Sequence, residues 1–158
     1  MTTLLCTLAA AIGLAVCQAG QLSGPVSRVA DGDTLRVSGE TVRLWGLDAP
    51  EKRQECADAS GRPYPCGERS RLALEALALG KTATCEVKDR DRYGRVVAAC
   101  SVGGRDLARQ MVEAGLALDY RRYSHGAYAA AEESARLARR GMWSGRFVPP
   151  ADWRRGAR

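Results

Sequence analysis

Cys85 and Cys100 stand almost symmetrically about the turn-prone stretch Asp91-Arg92-Tyr93-Gly94-Arg95. A turn centred between Arg92 and Tyr93 makes a hairpin in which Cys85 faces Cys100 and Val87 faces Ala98 on the same side. Facing residues of an antiparallel ladder lie about 4.5–5.5 Å apart by Cα, inside the window a disulfide can bridge. The remaining pair, Cys56 and Cys66, would then clip the polar loop between them. Four cysteines allow three pairings, and the hairpin register favours this one. Four free buried thiols are the alternative if the chain stays in a reducing compartment.

The compartment is read from the first residues. Residues 4–16 form an uncharged apolar run, too short to span a bilayer comfortably. With Cys17-Gln18-Ala19 as a small-x-small site, residues 1–19 read as a signal peptide, although Met1-Thr2-Thr3 carries no Lys or Arg. Leu14-Ala15-Val16-Cys17 fits a lipoprotein box less well, because Val16 is a poor residue before the cysteine. Cleavage after Ala19 removes Cys6 and Cys17 and leaves an even number of cysteines in an exported chain, periplasmic or secreted.

The chain of 158 residues is 46% hydrophobic and 27% charged, enough for one domain with a core. Disordered, collagen-like and two-domain architectures are excluded. A single histidine, His125, excludes two-histidine mechanisms, and no C-x-x-C pair is present for a zinc ribbon or a thioredoxin-type site. The net charge of +6 is localised. Seven arginines (136, 139, 140, 146, 154, 155, 158) face one acid, Asp152, after position 135, so the body before them is neutral. Residues 149–158 are expected to be a basic tail with little order.

Residues 20–148 read as one domain. Val26-Ser27-Arg28-Val29 is strand-like. Leu35 and Val37 alternate with Arg36, Ser38-Gly39-Glu40 turns the chain, and Val42 and Leu44 return it towards Pro50. Glu51 to Pro65 is a polar loop. Helices are predicted over Gly67–Leu79, Arg105–Ala114 and Ala127–Arg140, each stopped by a glycine. Short antiparallel strands with helices to one side make an α+β fold around a small barrel.

The chemistry is concentrated in Asp31-Gly32-Asp33-Thr34 and in Arg43 to Glu51. A hairpin turning near Gly39 returns Asp48 to nearly the level of Asp33. Two carboxylates meeting without histidine or thiol make a hard oxygen site suited to Ca²⁺ or Mg²⁺. Arg43 beside them is the usual partner of a salt bridge, but Arg also makes bidentate contacts to phosphate. A metal, a spare carboxylate at Glu51 and guanidinium groups are what phosphodiester hydrolysis needs.

These segments carry a resemblance. Val29-Ala30-Asp31-Gly32-Asp33-Thr34, Val42 to Glu51, Asp91-Arg92-Tyr93-Gly94-Arg95, Leu107-Ala108 to Gly115-Leu116-Ala117 and Gly141-Met142-Trp143-Ser144 follow the order of the staphylococcal nuclease-like (thermonuclease) family. The match runs from about Val26 to Ser144. The resemblance implies an OB-fold, a five-stranded β-barrel with three α-helices, and a calcium-dependent nuclease acting on DNA and RNA. It implies Asp33 and Asp48 as calcium carboxylates and Ala49 as a backbone-carbonyl ligand. It implies Glu51 as the group that activates water, and Arg43 and Arg95 as the arginines that stabilise the transition state. It implies Arg92 and Tyr93 at a terminal phosphate, with Tyr120 and Tyr123 near the substrate-stacking tyrosines. Two departures stand out: the cysteine-bearing loop Lys52 to Cys66, and the arginine-rich segment after Tyr120.

The rival reading is a non-catalytic nucleic-acid-binding OB-fold module of the cell envelope. Such a binder has no use for carboxylates facing phosphate, and it would want a basic, aromatic face. His125 is expected at the start of the third helix as a plain polar residue. Trp45, Trp143 and Trp153 are expected to pack or to lie in the tail. The chain is expected to act as a monomer, with no transmembrane segment after cleavage.

Overall fold

The computed structural model describes residues 20–158, so the signal-peptide reading of residues 1–19 lies outside the described residues. Five strands form the frame, with two very short pairs beside them: β1 (Gln21–Asp31), β2 (Thr34–Val37), β3 (Glu40–Leu44), β7 (Thr82–Arg90) and β8 (Val96–Val102). The short pairs are β4 (Leu47–Asp48) with β10 (Leu118–Asp119), and β5 (Cys56–Ala57) with β6 (Pro63–Tyr64). The sheet order is β3-β2-β1-β7-β8, extended by β9 (Arg105–Asp106), and a parallel β3–β8 pairing closes it into a five-stranded mixed barrel. This is the α+β, OB-like architecture expected from the sequence.

Alternation explains the barrel. Leu35, Val37, Val42, Leu44, Val96 and Ala98 are all essentially buried, and they point inward from strands whose intervening residues face out. Burying each Leu or Val stabilises the fold by about 1.5–3 kcal/mol before entropy. Helices α1 (Cys66–Ala78), α2 (Leu107–Glu113) and α4 (Ala129–Leu137) correspond to the three predicted helices and join the barrel's core through Leu74, Leu107, Met111 and Ala131. A four-residue helix, α3 (Arg121–Ser124), precedes α4. His125 ends it in the left-handed region (φ 52°) and is not part of the next helix.

Both disulfides are formed, Cys56–Cys66 and Cys85–Cys100. Cys85 pairs with Cys100 and Val87 with Ala98 across β7–β8, as the sequence register requires. Beyond Val87 the ladder slips: Asp89 pairs with Val97 and Arg90 with Val96. Lys88 is the extra residue of a β-bulge, so the turn is centred on Tyr93 and not between Arg92 and Tyr93. Asp91 closes that turn by accepting from the amides of Tyr93 and Arg95.

One expectation is corrected. The residues after Pro149 are ordered, forming α5 (Pro150–Arg154) with proline at its first position. Two contacts anchor the segment that leads to it. Ala57 and Arg146 exchange backbone hydrogen bonds of 2.8 and 3.0 Å, and the buried Gln54 amide donates to the Val148 carbonyl at 2.7 Å. The tail therefore docks on the loop that the Cys56–Cys66 bridge holds together.

Candidate active site

The β1–β2 connection is made by Asp31-Gly32-Asp33. A side chain on Gly32 would collide with Ser70 of α1 and with Ala49, so glycine lets this turn lie against the helix. Asp33 is buried. It accepts from the Thr34 hydroxyl at 2.8 Å, and its own amide donates to Asp31 at 3.2 Å. Burial pushes its carboxyl up to about 7, opposed by Arg43 and reinforced by Asp31.

Arg43 stands opposite Thr34 in the β2–β3 ladder, with Val97 of β8 on its other side. Its guanidinium reaches two carboxylates, Asp33 at 3.0 Å and Asp48 at 3.7 Å. Asp48 is not on the returning strand itself. The chain leaves β3, turns through Trp45 and Gly46 (φ +79°), and resumes as β4, whose Asp48 pairs with Leu118. The level of Asp33 is therefore matched by Arg43, and Asp48 arrives through a second turn.

Glu51 follows Pro50 at the edge of the loop. Its amide donates to the Gln54 side chain at 3.2 Å, and its carbonyl accepts from the Gln54 amide at 2.7 Å. A Cβ on Gly67 would overlap the Glu51 carbonyl oxygen, so the start of α1 seats directly on this residue. Arg95 leaves the hairpin turn and is held by Asp91 at 2.7 Å.

A cavity of about 150 Å³ gathers Asp31, Asp33, Arg43, Ala49, Glu51 and Arg95. Five of the six residues to which the sequence gives a catalytic or metal role thus line one small space, and Asp48 reaches it through the Arg43 bridge. Arg92, Tyr93, Tyr120 and Tyr123 do not enter it. They line an adjoining groove of about 780 Å³ with Trp45, Lys88, Arg90, Arg122 and His125, and Arg43 and Arg95 border both spaces. Tyr120 and Tyr123 pack edge to face at 4.9 Å, and Tyr93 is 69% exposed on the groove rim. Trp45 packs on Tyr128 at 6.2 Å, with the Lys88 ammonium 5.5 Å from its ring. The groove brings Lys88, Arg90, Arg92 and Arg122 together, with Asp89 and Asp91 among them.

Two charged cavity residues are not among the sequence candidates, Asp31 and Arg154. Arg154 comes from α5 and forks onto Asp48 at 2.9 and 3.1 Å while also donating to Glu51 at 2.8 Å. Burial works against its charge, but the bonds to Asp48 and Glu51 outweigh this and hold the guanidinium above its ordinary value.

No group of three or more His, Cys, Asp and Glu side chains converges in metal-binding geometry among the described residues. The donor set nevertheless fits a hard cation. It offers carboxylate oxygens, the Ala49 backbone and a polar cavity in which waters would complete the shell. A buried carboxyl raised as far as Asp33 is one whose charge the protein alone undercompensates.

The comparisons with known proteins bear on the family. The family model described as staphylococcal nuclease homologue matches residues 41–145. A succinoglycan biosynthesis protein, ExoI, of Rhizobium meliloti (strain 1021) is 42% identical over 117 residues, covering 73% of this chain and 61% of that protein. A protein of Escherichia coli named as an uncharacterized endonuclease is 35% identical over 140 residues, covering 84% of this chain and 85% of that one. A probable staphylococcal-like nuclease, CAN2, of Oryza sativa subsp. japonica is 35% identical over 119 residues, 74% of this chain and 30% of the rice protein. With its barrel, its family match and its nuclease-named relatives, the chain belongs to the staphylococcal nuclease family.

Proposed function

We propose that this protein is an exported, calcium-dependent nuclease that hydrolyses phosphodiester bonds of DNA and RNA as a monomer. The observation that carries the reading is the single cavity in which Asp33, Arg43, Ala49, Glu51 and Arg95 meet. Asp33, Asp48 and the Ala49 carbonyl would hold Ca²⁺, which would neutralise a phosphate oxygen and polarise the phosphorus centre. Glu51 takes the proton of a water as its oxygen bonds to phosphorus. Arg43 and Arg95 donate to the phosphate oxygens as negative charge builds on them. The bond from phosphorus to the leaving oxygen then breaks, and that oxygen takes a proton from solvent.

The adjoining groove supplies binding. Lys88, Arg90, Arg92 and Arg122 meet the phosphate chain, and Tyr93, Tyr120 and Tyr123 offer rings on which unpaired bases stack. That groove alone would also suit a non-catalytic OB-fold binder. The carboxylates beside it favour catalysis, because a pure binder has no use for buried acids facing phosphate. Export is supported by the two disulfides, which persist in oxidising compartments, and no helix among the described residues is long and apolar enough to cross a membrane.

The test is cleavage of single-stranded DNA and of RNA by the purified oxidised protein. Cutting with added Ca²⁺ that stops with excess chelator supports the reading. A folded protein that binds nucleic acid without cutting it in Ca²⁺ overturns it in favour of the binder.

A further inference from the structure

Arg154 lies beyond the segment that the family model covers, residues 41–145, yet it makes the densest polar contact of the cavity. Both oxygens of Asp48 are engaged by its fork, and the same Nη1 that meets Asp48 also meets Glu51. The Asp48 side chain is only 6% exposed and already has the Arg43 guanidinium at 3.7 Å, so it offers little room for a further cation while Arg154 stays. We propose that Arg154 is a resident counter-cation of the metal-free site, a positioning residue that holds Asp48 and Glu51 together and that calcium must displace to bind. The inference rests on the calcium reading above.

Three observations carry it. The guanidinium and a divalent cation seek the same carboxylate oxygens, and two positive charges a few ångströms apart repel. The support of Arg154 is slight: α5 has five residues and follows a segment held by Gln54 and by the Ala57–Arg146 bridge. A helix of little more than one turn opens at lower cost than barrel strands. Asp33 is differently placed, since its guanidinium partner, Arg43, is fixed inside the barrel wall. Of the two arginines that meet Asp48, one is thus permanent and one can leave.

The measurement is calcium chloride titrated calorimetrically into the purified protein without nucleic acid, beside Arg154→Gln, Arg154→Lys and Arg155→Gln. Arg155 pairs with Asp152 and makes the same change of net charge one residue away. Displacement predicts that Arg154→Gln binds Ca²⁺ about tenfold more tightly, the scale of one charge-assisted hydrogen-bonded contact. Arg154→Lys, which keeps the charge but loses the fork, should fall between wild type and Arg154→Gln, and it serves alone if the Gln variant does not fold. Arg155→Gln should stay within about twofold of wild type, its charge being screened. Equal or weaker calcium binding by both Arg154 variants, with wild type binding, overturns the displacement and leaves the calcium nuclease standing. No calcium binding by any of the four proteins overturns the calcium reading and the displacement with it.

Discussion

Arg43 and Arg154 meet the same carboxylate, Asp48, from two very different parts of the molecule. Arg43 belongs to a barrel strand with neighbours on both sides, Thr34 of β2 and Val97 of β8. Arg154 belongs to a five-residue helix near the chain end. Their side chains are also unequal in exposure, 22% against 35%. The difference teaches that proximity to a site does not define a role. A charge needed in the transition state has to be held by rigid structure, whereas a charge that holds the resting site can sit on an element that lifts away.

The largest expected effect falls on the rigid side. Arg43→Ala should lower the calcium-dependent cleavage rate by about 10²–10³, the cost of removing one oriented donor from the transition state. Single-turnover kinetics on a short oligonucleotide measures this, and a rate within a few-fold of wild type would make Arg43 a structural ion pair only. The same substitution sharpens the comparison through stability. Without metal, Arg43→Ala strips the buried Asp33 of its cation and should cost about 1–3 kcal/mol at neutral pH, read by urea unfolding. Arg154→Gln removes a guanidinium that is 35% exposed and leaves Asp48 its Arg43 partner, so it should cost less than about 1 kcal/mol in the same experiment. Equal losses would break the distinction between the fixed and the mobile arginine.

The smallest effect concerns Arg95. Asp91 is held below its ordinary value: burial opposes this, but hydrogen bonds from the Arg95 side chain and from the Arg95 and Tyr93 amides prevail. A carboxylate lowered on folding contributes stability that is present above its ordinary value of 3.8 and is lost as pH falls through its lower folded value. Asp91→Asn should therefore be less stable than wild type at pH 6, with the gap closing below pH ~4. A gap that does not change with pH would place the effect in turn geometry instead of charge.

The legible parts of this molecule are those set by neighbours in sequence. Cys85 and Cys100 could be paired because a short turn fixes a hairpin register, and α1, α2 and α4 could be found because apolar positions recur at helical spacing before a glycine. The bulge at Lys88 was not legible, since nothing local distinguishes an inserted residue from a paired one. Nor was the parallel closure of β3 on β8, which depends on barrel curvature. The strand-like pattern begins at Val26, yet Gln21–Pro25 pairs with Thr82–Glu86 as part of β1. In the site, Asp33, Arg43, Asp48 and Glu51 were visible as one constellation because all four lie within two adjacent segments. Arg154 was hidden among the tail arginines, because its partners are 103 and 106 residues away. A proline at the first position of a short helix was the one local signal there, and it reads equally well as a break.

The most direct test of the account is Glu51→Gln, which keeps the size of the side chain and removes its ability to take a proton. Cleavage of single-stranded DNA in Ca²⁺ is compared with wild type, with calcium binding and the melting transition measured on the same samples. The account predicts a rate lower by about 10²–10³, with the fold and calcium binding retained. A variant that folds, binds calcium and cuts at the wild-type rate would contradict it.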